Sequence, residues 1–387
     1  MIRDFTDAEA RRALVLKWGA CEPDVLPAWV AEMDYALAPC VQESLVQAIT
    51  EGVTGYPAFM DPEFGGAGAA LGEAYAGWAR RQFGFDVDPG HVLPVADVTA
   101  GVRLALDVFS EQAPVVFPLP GYPPQHDIAQ ITGRARVDLI LDPAAERAEF
   151  DLDALDRLFA DGARTLLLTQ PHNPWGRVFT RAELEGIRDV VLRHGARVIS
   201  DEIHAPLTLG GAKHLSYLQI EGTDDHAVVV TAASKAFNTA GLKCAQLVTT
   251  SPAAAQALRD VPMARNDSYS PLGVIAATAA FTDGDEWLDA LRSRLTSQRD
   301  LLAALLAEHL PLARMRLPEA TYLAWIDLRA YADEPSALGL SKGRVWVQDG
   351  RMFQRDLPGH VRLNFATSPE RLTEIVRRLA RALDVRP

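Results

Sequence analysis

Between Val115 and Thr249 the chain alternates short, unbroken apolar runs with amphipathic stretches, and no other feature constrains the fold as much. The candidate strands are Val115–Pro118, Ala135–Leu141, Thr165–Thr169, Arg197–Ser200, Val228–Thr231 and Ala245–Thr249. Between them, Leu152–Ala160 and Arg181–His194 carry apolar residues at helical spacing. A strand too apolar to alternate in and out is buried on both faces, and a helix between strands returns the chain for parallel pairing. The expectation is an α/β domain with a largely parallel sheet. Ligands in such sheets sit at the carboxyl ends of the strands, so polar residues just after an apolar run are the candidates for chemistry.

From Asp285 the pattern changes. Asp285–Leu310 reads as one long helix, with Leu288, Leu291, Leu295, Leu302, Leu305 and Leu306 near helical spacing. Strand-like runs follow at Thr321–Leu328 and His360–Phe365, and Pro369–Leu383 reads as a last helix. The expected division is a large domain over 46–284 and a smaller α+β domain over 285–387, joined by residues 1–45. The Gly-rich stretch Phe64–Gly68 has no strand before it and reads as a loop, not a phosphate cradle.

Composition excludes several functions. A net charge of −13 offers no global attraction to nucleic acid or to an anionic membrane, so an anionic small ligand needs a local positive pocket. Three cysteines, Cys21, Cys40 and Cys244, form no CxxC pair and no disulfide framework. The N-terminal MIRDFTDAEARR is too charged for the apolar core of a signal peptide. No apolar run approaches the ~20 residues that span a bilayer. A cytoplasmic protein is expected. His194, His204 and His214 lack the short spacing of metal ligands.

Four segments stand out. Lys235 closely follows the apolar run Ala227–Val230. Burial there would lower its pKa and free its amine for Schiff-base chemistry, although a lysine that snorkels to solvent fits the same pattern. Asp201, in Val198-Ile199-Ser200-Asp201-Glu202-Ile203-His204, ends another apolar run and either caps the next element or faces a ligand. Asn173 lies in Gln170-Pro171-His172-Asn173-Pro174-Trp175-Gly176, where turn formation alone explains the composition. Arg362, in Val361-Arg362-Leu363-Asn364-Phe365, suits the bidentate grip of a carboxylate, or an ion pair between domains.

Each segment alone is weak, but their order and spacing together resemble the class I/II aminotransferase family of fold-type I pyridoxal 5′-phosphate (PLP) enzymes, over nearly the whole chain. That resemblance implies a fold-type I architecture: a large domain with a mostly parallel seven-stranded sheet and a smaller α+β domain. It implies that Lys235 carries PLP as a Schiff base, that Asp201 keeps the pyridine nitrogen protonated, and that Asn173 serves the phenolic oxygen. Tyr122, in Pro120-Gly121-Tyr122-Pro123, would pack on one ring face and Ile203 would cover the opposite one, with His204 also a cofactor-binding candidate. Tyr56, in Gly55-Tyr56-Pro57, resembles a tyrosine that reaches the phosphate of the other subunit, which implies a homodimer. Arg362 would bind the α-carboxylate of a small amino-acid substrate, with Tyr122 and Asn173 nearby.

The phosphate grip departs from the family. The stretch Ala96-Asp97-Val98-Thr99 replaces the usual Ser or Gly turn, Lys243 replaces an arginine, and Ala232 stands where many relatives have a serine. Backbone amides at Asp97 and Val98, with the Thr99 and Ser234 hydroxyls, are the expected substitutes. Asp97 brings negative charge toward an anion, so its side chain is expected to cap the helix or turn away.

Four local sequences look like the C–S lyase (cystathionine β-lyase) branch: Trp29–Tyr35, Ser200–His204, Ser234–Asn238 and Thr321–Arg329. In the first, Glu32 replaces a more usual aspartate. This likeness implies β-elimination from cystathionine or related cysteine S-conjugates, with Lys235 as general base and a thiol, pyruvate and ammonia as products. An aminotransferase would use the same residues, and a regulatory binding protein on this fold is a third reading.

Overall fold

The computed structural model describes residues 2–57, 67–141, 149–266 and 268–384. The chain begins with α1 (Asp7–Ala13), β1 (Leu26–Pro27), α2 (Pro39–Thr50) and α3 (Ala67–Phe83). Then come β2 (Val92–Val95), α4 (Val98–Phe109), β3 (Val115–Leu119), the short helices α5 (Pro123–His126) and α6 (Ile128–Ile131), and β4 (Arg136–Ile140). Next are α7 (Leu152–Ala160), β5 (Thr165–Thr169), α8 (Arg181–His194), β6 (Arg197–Asp201), β7 (Ala227–Thr231), α9 (Ser234–Phe237) and β8 (Ala245–Val248). The remainder comprises α10 (Pro252–Arg259), α11 (Pro271–Asp283), α12 (Asp285–His309), β9 (Arg314–Met315), β10 (Leu323–Asp327), α13 (Pro335–Leu338), β11 (Val345–Trp346), β12 (Gln348–Asp349), β13 (His360–Asn364) and α14 (Pro369–Ala382). Phe64–Gly66 of the Gly-rich stretch lie outside the described residues, and its Ala67 and Gly68 open α3.

Seven strands form one sheet in the order β2-β8-β7-β6-β5-β3-β4. From β4 to β7 every pair is parallel, whereas β8 is antiparallel to both β7 and β2. This is the mostly parallel seven-stranded sheet expected of the fold. The apolar runs β3, β5 and β7 are buried along their whole length. Their successive residues feed two cores, one on each face. Leu166, Leu168, Val198 and Val229 pack with Leu184, Ile187 and Val191 of α8. Leu167, Ile199, Val228 and Val230 pack with Val102, Ala105 and Leu106 of α4. β2 is the one strand of this sheet that the apolar pattern did not announce. It is short, contains Pro94 and lies at the sheet edge, where a missing ladder donor is tolerated.

A second sheet, β12-β13-β10-β9, is antiparallel throughout. The N-terminal residues pack against this part of the chain. β1 pairs in parallel with β11 through Leu26 and Val345. Lys17 and Asp34 form a buried ion pair at 2.9 Å, and Trp18 Nε1 donates to Asp34 Oδ1 at 2.7 Å. Among the described residues no helix is long and apolar enough to cross a membrane.

Candidate active site

The carboxyl ends of the parallel strands converge on a cavity of about 190 Å³. Asp201 ends β6, Thr169 ends β5, Tyr122 follows β3, Asp97, Val98 and Thr99 follow β2, and Ser234 and Lys235 follow β7. Because β8 runs the other way, its amino end lies at this edge, and Lys243 and Cys244 reach the cavity from there. Asn173, Ile203 and His204 also border it. Of the residues singled out in the sequence, Arg362 and Tyr56 do not.

Asp201 is buried, and both of its oxygens are engaged. Gln125 Nε2 donates to Oδ2 at 2.6 Å, and the Ile203 amide donates to Oδ1 at 3.2 Å. Burial raises the carboxyl to about 6, against the pull of the Ile203 and Gln125 donors. Lys235 is half-buried in the cavity wall, and its Nζ donates to the Ala31 carbonyl at 3.0 Å. Burial and the Arg362 guanidinium lower its amine to about 8. The same carbonyl accepts from Tyr322 Oη at 2.9 Å. His204 is buried, and burial with the nearby charges of Lys235 and Arg362 keeps it neutral, at about 3.

α4 presents its amino terminus to the cavity. Asp97 is the N-cap: its Oδ1 accepts from the Ala100 amide at 2.8 Å. The expectation that it caps the helix holds, but the side chain does not turn away, because its Oδ2 accepts from Lys243 Nζ at 2.9 Å. Burial opposes its charge, yet the Lys243 and Ala100 donors outweigh burial and hold the carboxyl below its ordinary range.

Arg362, in β13, is buried beside the cavity. Nη1 donates to Asn173 Oδ1 and Nη2 to the Trp29 carbonyl, both at 3.1 Å, and the guanidinium lies 4.8 Å from the centroid of the Phe353 ring. Its Nε is buried without a hydrogen-bond partner. Burial lowers it to about 10, which leaves it charged at neutral pH. Among the described residues its side-chain donors meet only these neutral acceptors, and no carboxylate pairs with it. Tyr56 is 95% exposed.

These residues suit PLP. An amine of lowered basicity suits its aldehyde, a buried carboxylate suits its ring nitrogen, and helix amides beside a cation suit its phosphate. The residues that the sequence did not mark are Gln125, Thr169, Ala31 and Tyr322. Each acts through a neutral amide, hydroxyl or backbone carbonyl. Tyr322 and Ala31 carried a signal, as parts of the Thr321–Arg329 and Trp29–Tyr35 likenesses.

The chain matches the family described as aminotransferase class I and II over residues 30–379. It is 36% identical to cystathionine β-lyase of Corynebacterium glutamicum over 378 residues, 97% of this chain and 98% of that protein. Cystalysin of Treponema denticola, whose structure contains PLP, superposes with a TM-score of 0.90 at 26% identity and 99% coverage of both chains. A Corynebacterium diphtheriae protein provisionally described as a PLP-dependent β-cystathionase superposes with a TM-score of 0.92 at 33% identity, again over 99% of both chains.

Proposed function

The chain belongs to the class I and II aminotransferase family, and from that premise we propose how its residues divide the work of a PLP-dependent carbon–sulfur β-lyase. The enzyme acts on cystathionine or a related cysteine S-conjugate and, with water, yields a thiol, pyruvate and ammonia. The 36% identity with a cystathionine β-lyase over nearly the whole chain carries this assignment. Bound PLP supplies an electron sink for the carbanion left when the α-proton is removed.

Lys235 is the general base. Its depressed basicity leaves a useful fraction of neutral amine near pH 7 to accept the α-proton. The Ala31 carbonyl accepts from its Nζ and would hold the lysine amine whenever it is not bonded to PLP. Asp201 would hold a proton at the ring nitrogen of bound PLP, Tyr122, Ile203 and His204 would pack against it, and Asn173 would serve its phenolic oxygen. Arg362, with Asn173 and Tyr122 nearby, grips the substrate carboxylate; among the described residues its Nε has no hydrogen-bond partner and its other donors meet neutral acceptors, which suits it to a carboxylate. The α4 amides at Asp97 and Val98, with Thr99, Ser234 and Lys243, hold the phosphate.

The working form is a homodimer in which Tyr56 reaches the phosphate of the partner site. Residues 46–284 form the PLP-binding domain, with 1–45 joining the small domain over 285–387, and the enzyme works in the cytoplasm. The deciding assay supplies cystathionine and no keto acid. Pyruvate, ammonia and thiol should form in equal amounts, and alanine, which lacks a leaving group, should bind without comparable turnover. A strict need for a keto acid, with stoichiometric conversion of the cofactor to pyridoxamine phosphate, would make the enzyme an aminotransferase.

A further inference from the structure

Gln125 has no role in the reaction as derived above. It sits on α5, three residues after Tyr122, and its side chain is buried and uncharged. Its Nε2 donates to Asp201 Oδ2 at 2.6 Å, and its Oε1 accepts from Thr169 Oγ1 at 3.5 Å. A carboxylate only accepts, so the NH₂ end of the amide must face Asp201. The ends of three strands, β3, β5 and β6, thus meet in one line running Thr169–Gln125–Asp201. The Ile203 amide holds the other carboxylate oxygen.

We propose that Gln125 is a positioning residue for Asp201, fixing the rotamer of the carboxylate and supporting its charge toward the ring nitrogen of PLP. The proposal rests on the reading that Asp201 partners that nitrogen. A carboxylate removed from water loses its hydration, and donors aimed at the charged form are the remedy. Among the described residues two such donors reach Asp201, and Gln125 makes the shorter bond. The charged and titratable groups facing Asp201 are Glu202, next in the chain, which opposes its charge; Lys235, beyond β7, which favours it; and Tyr122, beyond β3. From β5 comes the uncharged Thr169. No neighbour therefore duplicates the donor that Gln125 supplies to Oδ2.

The test uses the PLP-loaded enzyme, with the pH dependence of its visible absorbance as the readout. Gln125→Leu removes the donor, so Asp201 should keep its own proton to higher pH. The midpoint of the spectral change should then rise by about one unit, the effect of one hydrogen bond to a charged group. Gln125→Glu keeps the shape but sets a second carboxyl against the first, and its midpoint should also rise. In both variants kcat should fall while alanine affinity, governed by Arg362, stays at the wild-type value. If Gln125→Leu does not fold, Gln125→Glu decides alone. Wild-type midpoints in the variants that fold would overturn the proposal. Borohydride trapping separates the two readings. A wild-type enzyme that does not trap PLP on Lys235 sinks the assignment of the site itself, whereas normal trapping with unmoved midpoints sinks only the role of Gln125.

Discussion

Lys235 is set apart from an ordinary lysine by where it lies. Burial, with Arg362 nearby, lowers its amine from 10.5 to about 8. The neutral form attacks an aldehyde, so the rate of PLP uptake by the apoprotein should climb with pH and level off above about 8. Stopped-flow absorbance measures this directly, and an inflection near the ordinary lysine value would contradict it. Lys235→Ala should abolish borohydride trapping and nearly all turnover. Asp97 poses a different question. Asparagine caps a helix as well as aspartate does, so Asp97→Asn keeps α4 intact while it removes a negative charge from the anion site. The Asp97–Lys243 pair is partly exposed and therefore weak, on the order of 1 kcal/mol or less. Freeing Lys243 for the phosphate should tighten PLP binding by roughly two- to fivefold. Fluorescence titration decides the matter, because weaker binding would mean that Asp97 aims Lys243. Lys235 was conspicuous in the sequence because it follows an apolar run, and Asp97 and Lys243 were marked by the resemblance of their segments to the family's phosphate grip. Gln125 was not, since a neutral amide in a Pro-rich turn leaves no pattern.

The elements were legible where the apolar pattern ran long enough to show a period. Thr165–Thr169, Leu152–Ala160 and Arg181–His194 have the bounds that periodicity assigned them. The cap chemistry agrees: Thr180 and Glu183 close a capping box, and Gly195 ends the helix in the left-handed region. β2 escaped because an edge strand with a proline is neither long nor continuously apolar. The helix that follows it, α4, must lie close to the sheet for its amino terminus to meet the cavity. Gly101 makes this approach possible. A Cβ there would lie 2.6 Å from Val230 Cγ1 and 3.2 Å from Val95 Cγ2. Gly101→Ala should lift α4 from the sheet, cost about 1–3 kcal/mol of stability and weaken PLP binding as well. Denaturant melts of the apoprotein and PLP titration report the two effects separately. Unchanged values in both would mean that the valines give way without moving the helix.

At the scale of the whole molecule the exposed residues raise the question of assembly. Tyr56 is almost fully exposed, and Val46 and Ile49 of α2 lie open nearby in the sequence. A second copy of the chain is the proposed cover, with Tyr56 reaching its phosphate site. Sedimentation of the holoenzyme should give twice the chain mass, and Tyr56→Ala should weaken PLP binding without altering that mass. A fully active monomer at assay concentration would refute the arrangement. The sequence by itself determined the layered α/β sheet and the change of pattern at Asp285, both from the period of apolar residues. It marked Lys235, Asp201, Asn173 and Arg362 as candidates, and the roles proposed for them come from the family that their order and spacing together resemble. Only the tertiary structure decided the pairings: Asp201 with Gln125, Lys235 with the Ala31 carbonyl, Asp97 with Lys243, and Arg362 with Asn173. The partners in each pair are far apart in the chain and meet because of strand order and the reversed direction of β8. Periodicity records which face of an element is buried; it does not record which element packs beside it.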